Sequence, residues 1–465
     1  MSQSSRVVII GDGPGGYEGA LVARQLGADV TLLSAGQIGG SAVLTDCVPS
    51  KTLIATSEAI DQAAASGYLG VRIDGRPADR SVFSVDLTTV NERILELAHA
   101  QSAGIRQHLE QAGIEIIHGR GTLTSEATVE VTNDDASWEI TADTILLATG
   151  ARPRVLADAV PDGERILSWE QIYQLDELPE HLIVVGSGVT GAEFASAFHA
   201  LGSTVTLVSS RDRVLPGEDV DAAALLEDVF TRRGLNVRSR SRAVAAHRVD
   251  DSVIVTLDDS STLQGSHVLM AVGSLPNTDD LGLESAGVST DSRGFITVDR
   301  VSRTSARHIY AAGDCTGVNM LASVAAMQGR IAMYHALGDA VAPLESTAIS
   351  STIFTEPEIA TVGLQQADLD SGDFRGTSVL LPLRTNARAK MHDHRDGFVK
   401  LFARKGSQIV AGGVVVAPNA SELIHSITLA VDNRLTVDQL AQAFTVYPSL
   451  SGSVAEAARR MHATQ

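Results

Sequence analysis

The sequence predicts an α/β protein, and three observations carry that expectation. A short apolar strand that runs into a Gly-x-Gly-x-x-Gly turn and then a helical stretch occurs twice, once from Val7 and again from Leu182. Short aliphatic runs alternate with helical patterns through the first three quarters of the chain, as in parallel sheets. From about Ser346 the pattern changes to mixed strands and helices, which suits a separate α+β part. At 465 residues the chain is longer than one hydrophobic core usually supports, so several domains are expected.

Composition narrows the function. Lys and Arg number 36 against 56 Asp and Glu, a net charge of −20. Such an acidic surface favours solubility and argues against nucleic-acid or anionic-membrane partners. No apolar run approaches the ~18 residues of a membrane span. The first residues lead straight into an apolar strand without a signal-peptide pattern, so a cytoplasmic location is expected. The cysteines, Cys47 and Cys315, are too few for a secreted disulfide scaffold. No CxxC or HExxH pattern suggests a metal, and His392 and His394 read as part of a polar surface loop.

In chain order, Val7 to Ile10 forms a buried-type strand, Tyr17 to Leu26 a helix and Val30 to Leu33 a second strand. Between the first two, Gly11 permits the tight turn, Gly13 lets a pyrophosphate approach the backbone, and Gly16 lets helix and strand pack. The acid expected after the second strand, to hold a ribose, is replaced by Ser34, a weaker clamp than a carboxylate. A glycine turn at Gly39-Gly40-Ser41 then leads to Cys47 just ahead of Pro49. Proline suits a first helical turn, so Cys47 lies at the positive end of a helix, with Lys51 one turn further along. Helices are expected to about Ser66 and from Leu87 to Ala112. Strands follow near Glu115 to Ile117, Val129 to Val131, and Thr144 to Leu147, the last entering Ala148-Thr149-Gly150.

The second unit repeats the first. Leu182 to Val185 leads into Gly186, Gly188 and Gly191, then a helix to Leu201 and a strand at Val205 to Val208. Two such fingerprints imply two dinucleotides, and FAD with a nicotinamide cofactor is the natural pair. The second strand ends in Ser209-Ser210-Arg211-Asp212-Arg213. An acid at the first position would favour NADH, but Ser209 neither holds a free ribose firmly nor repels a 2′-phosphate. Arg211 or Arg213 could meet that phosphate, pointing to NADPH or dual use; they could equally be solvated surface charge.

The stretch from Gly39 to Lys51 resembles the active-site segment of the flavoprotein disulfide reductases (lipoamide dehydrogenase, glutathione reductase, mercuric reductase). In that family two cysteines separated by four residues precede Pro-Ser-Lys. Here Cys47 holds the second position and Ala42 the first, and a methyl group cannot form a disulfide. The likeness continues through Ala148-Thr149-Gly150, through Val272-Gly273-Ser274-Leu275-Pro276-Asn277 with Ser274 in place of an arginine, and through Ile309-Tyr310-Ala311-Ala312-Gly313-Asp314-Cys315. Phe354-Thr355-Glu356-Pro357 and Pro418-Asn419-Ala420-Ser421-Glu422 resemble the family's interface domain. Near the end, Tyr447 and Gly452 replace the histidine and glutamate that serve the thiols.

The resemblance implies two Rossmann-like dinucleotide-binding domains and a C-terminal α+β dimerisation domain. FAD-binding segments would occupy 1–152 and 279–345, an NAD(P)-binding domain 153–278, and the interface domain 346–465, with a homodimer as the assembly. Gly11, Gly13, Gly16, Ser34, Gly40, Ser41, Lys51, Gly121, Thr149, Gly150, Asp314, Leu321 and Ala322 would contact FAD. Gly186, Gly188, Val189, Gly191, Glu193, Ser209, Ser210, Arg211 and Gly273 would contact NADPH or NADH. Lys51 and Glu193 would act together beside the flavin, Val189 would leave open a pocket often gated by tyrosine, and Asp314 would meet the ribityl chain. Cys315 reads as a small buried residue. The function expected is hydride transfer from NAD(P)H to FAD and on to a quinone without a thiol relay. Alternatives are a soluble transhydrogenase, a thiol or peroxide reductase using Cys47 alone, and a non-catalytic flavoprotein subunit of a complex.

Overall fold

The computed structural model describes residues 4–463. Two compact units divide the chain: one takes the residues to Thr52, Asn91–Arg154 and Gly273–Glu345, the other Leu53–Val90, Val155–Val272 and the residues from Ser346.

In the first unit, apolar runs stack as a parallel sheet in the order Ile309–Ala311, Thr144–Leu147, Arg6–Ile10, Asp29–Ser34, Glu115–His118. Side chains alternate between its faces. Val7, Ile9 and Leu32 join Ala20, Ala23 and Met333 from helices on one side. Val8, Ile10 and Leu33 join Leu123, Val129 and Val131 on the other. That second layer is an antiparallel meander, Arg120–Ser125, Thr128–Thr132 and Ser137–Thr141, of which the sequence pattern had shown only the middle strand. The helices Pro14–Gln25 and Ala322–Ala336 pack closely, since a Cβ at Gly329 would lie 2.1 Å from the Gly15 carbonyl oxygen. Ala151–Pro153 pairs antiparallel with Ser274–Pro276. Thr149 Oγ1 donates to the Asn277 carbonyl at 2.7 Å, which ties the Ala151–Pro276 end of that ladder to the Ala-Thr-Gly turn.

In the second unit the same plan recurs. A parallel sheet runs Ile166–Ser168, His267–Met270, His181–Val185, Thr204–Val208, Asn236–Arg238, with the meander Ala243–Val249, Ser252–Leu257, Thr262–Gly265 beside it. The C-terminal residues form an antiparallel sheet in the order Ser350–Ile353, Glu358–Gly363, Val410–Ala417, Phe398–Arg404, Gly376–Pro382. Helices Ala420–Asp432, Val437–Gln442 and Gly452–Ala463 share its core. Among the described residues no helix is long and apolar enough to cross a membrane.

Two buried polar contacts hold this second unit. Lys400, on the strand Phe398–Arg404, has its side chain only 3% exposed, and its Nζ lies 3.0 Å from Asp219 Oδ2 and 2.7 Å from Asp221 Oδ2. Asp219 caps the helix Val220–Arg233 and is itself fully buried. Removing one partner of such a pair leaves an uncompensated charge, at a cost of about 3–5 kcal/mol. Lys400→Met is therefore expected to lower the thermal midpoint, and adding Asp219→Asn to recover part of it; differential scanning calorimetry of the two variants checks this.

The second is a cluster in which Glu58 and Asp61, on the helix Cys47–Ala65, line one small cavity with Ser196 and Glu356. Glu356 N–H donates to Ser196 Oγ at 3.2 Å. Asp61 pairs with Arg233 at 2.9 Å. Burial pushes the Glu356 carboxyl up to about 7; Arg233 offsets this, while Asp61, Glu58 and Glu358 add to it. The native state thus keeps a proton that the unfolded chain has already lost from its ordinary carboxyl, so stability falls as pH rises from the usual glutamate range through neutrality. Glu356→Gln should flatten that fall, as thermal midpoints measured from about pH 5 to about pH 8 would register.

Candidate functional site

Both glycine turns are shaped by the same contacts. Gly11 has φ +106°, and a Cβ there would lie 2.2 Å from the Ala148 carbonyl oxygen; one at Gly16 would lie 2.0 Å from the Gly11 oxygen. Gly186 has φ +113°, with a Cβ 2.1 Å from the Ala271 oxygen, and a Cβ at Gly191 would lie 1.8 Å from the Gly186 oxygen. The middle glycines differ from these. A Cβ on Gly13 would meet only the Gly40 Cα at 4.0 Å, and one on Gly188 nothing within 4 Å. Neither following helix, Pro14–Gln25 or Val189–Leu201, has a side-chain cap at its N-terminus. Helix N-termini without side-chain caps and open space above a bare backbone fit a dinucleotide pyrophosphate.

Around the first turn, Ser34 is buried and donates its hydroxyl to Asp12 Oδ2, with the Gly36 carbonyl 2.9 Å away. Burial raises the Asp12 carboxyl above its ordinary range, against the pull of Ser34 and of the Gly40 and Gly39 amides. Gly39 N–H also donates to the Asp12 carbonyl at 3.1 Å, so the 36–40 loop folds against the turn. Gly121 is buried under Leu33 and Ile10, and a Cβ there would lie 2.7 Å from Leu33 Cδ1.

Asp314 opens a short 3₁₀ turn after the strand Ile309–Ala311. Burial, and then the nearby Asp46 carboxylate, raise its carboxyl to about 6. Asp46 is itself raised by burial and lowered by Lys51. A desolvated carboxyl of this kind calls for hydroxyl donors, which a ribityl chain offers. Leu321 and Ala322 begin the helix Ala322–Ala336, again without a side-chain cap. Cys315 is fully buried; its Sγ lies 3.4 Å from the Ala312 carbonyl oxygen, and burial pushes the thiol up to about 11, which makes it a packing residue.

Ala42 sits on the short helix Gly40–Leu44, and Cys47 and Lys51 lie in the opening turns of the helix Cys47–Ala65. Both are half-buried. In the other unit Glu193 is buried and its Oε1 accepts the Phe354 N–H at 2.9 Å. Val189 is exposed. Ser209 is fully buried: Ser187 Oγ donates to its oxygen at 2.7 Å and Arg211 N–H at 3.1 Å, while Ser210 and Arg211 face solvent. Gly273, with φ +96° and open space around it, accepts from Arg154 N–H. Near the C-terminus Phe444, Val446 and Tyr447 are all exposed. The rings of His392 and His394 stack 5.6 Å apart, and among the described residues no group of His, Cys, Asp and Glu is placed to hold a metal.

Residues 5–329 match the model of the pyridine nucleotide-disulphide oxidoreductases, and residues 349–458 the dimerisation domain of the same family. The chain belongs to that family. It is 52% identical over 99% of its length, and 94% of the other's, to a protein of Mycobacterium tuberculosis named NAD(P)H dehydrogenase (quinone). It is 34% identical to the dihydrolipoyl dehydrogenase of Chlamydia pneumoniae, with 98% of this chain and 97% of that one covered. The crystal structure of LpdA from M. tuberculosis superposes with a TM-score of 0.93 at 51% identity, over 98% of this chain and 99% of that one.

The family's cofactors are FAD and NAD(P)H, and this chain is an NAD(P)H-dependent flavoprotein oxidoreductase. Three polar residues beside the family's motifs escaped the reading of the sequence: Asp12, Asp46 and Ser187. The signal for two of them was present, since Asp12 and Ser187 each stand between the first two glycines of a turn, 22 residues before the serine they bond.

The tight glycine contacts make a simple expectation. Gly191→Ala forces the helix Val189–Leu201 off the sheet, and displacement on the order of 1 Å costs about a hundredfold in rate. Stopped-flow reduction of bound FAD by NADPH should slow accordingly, while Gly16→Ala should yield protein that purifies without flavin colour.

Proposed function

We propose that the chain is an NAD(P)H:quinone oxidoreductase that works as a homodimer in the cytoplasm without a redox-active disulfide. One observation carries the reading: Ala42 stands where the family places the first cysteine, while Tyr447 and Gly452 stand where it places the acid–base pair serving the thiols. Three parts of one thiol relay are changed together. The 52% identical relative named for quinone supports the acceptor class, and the match to a dimerisation domain supports the assembly.

Bound FAD supplies the two-electron relay between NAD(P)H and an acceptor that arrives after the nicotinamide leaves. The protein's part is to hold and orient. Gly11, Gly13 and Gly16, with the uncapped helix behind them, take the FAD pyrophosphate. Ser34, Gly40, Ser41, Gly121, Thr149, Gly150, Leu321 and Ala322 close around the rest, and Asp314 accepts from the ribityl hydroxyls. Gly186, Gly188 and Gly191 take the nicotinamide dinucleotide, with Ser210, Arg211 and Gly273 along its length, while fully buried Ser209 acts through Ser187. Lys51 serves the flavin site and Glu193 the nicotinamide site, where Val189 is a small side chain at the start of its helix.

Cys47 favours a second reading. A half-buried thiol at the start of a helix is placed for thiolate chemistry, through a sulfenate for example. Against it, the residue at the family's histidine position is Tyr447, which has no imidazole to protonate a leaving thiolate. Anaerobic NADPH oxidation by the FAD-loaded protein separates the readings. A small naphthoquinone, oxidised lipoamide, oxidised glutathione and a thio-NAD analogue serve as acceptors, for wild type and Cys47→Ser. Fast quinone turnover unchanged by Cys47→Ser, with none on the disulfides, is expected. Disulfide turnover would defeat the reading from Ala42 and Tyr447, and turnover with thio-NAD alone would make the protein a transhydrogenase.

A further inference from the structure

The two glycine turns contain the same side-chain device with different charges. In each, the residue between the first two glycines hydrogen-bonds the serine that ends the neighbouring strand, 22 residues later in both cases. In the first the pair is Asp12 with Ser34; in the second it is Ser187 with Ser209. Both serines are buried, and each stands where a dinucleotide fold ordinarily keeps the acid that binds a ribose diol. We propose that the ribose-reading residue of each turn is its middle residue, so that Asp12 selects an unphosphorylated ribose in the first site and neutral Ser187 admits a 2′-phosphate in the second. This rests on the proposal that the two turns hold FAD and NAD(P)H.

The geometry supplies the reason. The Ser34 hydroxyl lies within reach of Asp12 Oδ2 and, at 2.9 Å, of the Gly36 carbonyl, so the pair places a carboxyl group at the carboxyl end of the strands although neither strand ends in an acid. A carboxylate offers about four acceptor positions. Ser34 and the amides of Gly40, Gly39 and Asp12 itself act on it, so a ribose hydroxyl would share one of these positions. The acid has moved from the end of the second strand to the turn, and its target has not. In the second site Ser187 gives its proton to Ser209, whose own oxygen takes the Arg211 N–H and lies 3.2 Å from the Arg213 carbonyl. No carboxylate belongs to that pair, and exposed Arg211 stands two residues on. A 2′-phosphate meets no like charge from the pair.

Placing an acid in the second turn tests the assignment directly. Ser187→Asp should raise the KM for NADPH relative to that for NADH by about tenfold or more, the mark of an introduced repulsion. An unchanged ratio would overturn the role of Ser187. For the first site, FAD affinity is measured by flavin fluorescence on dilution, beside the thermal midpoint of the flavin-stripped protein. Asp12→Ala should weaken FAD by about ten- to a hundredfold, the loss of a hydrogen bond to a charged group. Asp12→Ala with Ser34→Asp, which returns the acid to the strand end, should restore it. If the double variant stays as weak as the single one, or if the stripped protein melts correspondingly lower, Asp12 only latches the loop and its assignment fails. A wild type whose flavin is reduced by neither nicotinamide would refute the proposed function instead, and the FAD measurements would still decide Asp12.

Discussion

The contact on which the rest depends is between two glycines of one turn. At Gly16 and again at Gly191 the helix lies so close to the turn that a Cβ would lie 2.0 Å or 1.8 Å from the oxygen of the first glycine. That approach sets where the helix begins, and hence where its free amides point. It also carries the middle residue of the turn over the end of the neighbouring strand, where Ser34 or Ser209 receives it. The open backbone of each turn and the bond made by its middle residue are thus consequences of one packing distance, realised separately in each unit.

How much of this was legible follows from how local each feature is. The strands Arg6–Ile10 and His181–Val185, their turns and their helices are written in consecutive residues, so pattern and spacing located them closely. Val129 to Val131 was readable as a strand, but its partners Arg120–Ser125 and Ser137–Thr141 mix Gly, Thr, Ser and Glu with few apolar side chains, and only pairing reveals them. Lys400 gave no sign of burial, because its partners Asp219 and Asp221 are distant in the chain. Ser34 was read from its position as a weak ribose clamp, since a sequence gives the occupant of a position and not the side chain it bonds in the neighbouring turn. Asp12 is that neighbour.

The changed thiol positions read the same way. Ala42 is on a short helix, Cys47 begins the next one, and Tyr447 lies hundreds of residues later with most of its surface exposed. Nothing local connects them; the proposed function gives them a shared task. A disulfide needs two sulfurs and a group to move protons between them, and removing any one makes the others dispensable. The glycine turns carry no such change: the close contacts of Gly11 and Gly16 recur at Gly186 and Gly191.

The difference between the two turns also matches the different fates of the two nucleotides. A flavin that relays electrons in every cycle must stay, whereas a nicotinamide must leave before the acceptor can arrive. Hydrogen bonds to a carboxylate are roughly twice as strong as those between neutral groups. A turn built with Asp12 therefore grips its ribose more firmly than one built with Ser187, on otherwise matching backbones. On this view the single side chain between two glycines sets residence time as well as phosphate tolerance. On the proposed function, a charged clamp on the exchanging nucleotide would slow its departure.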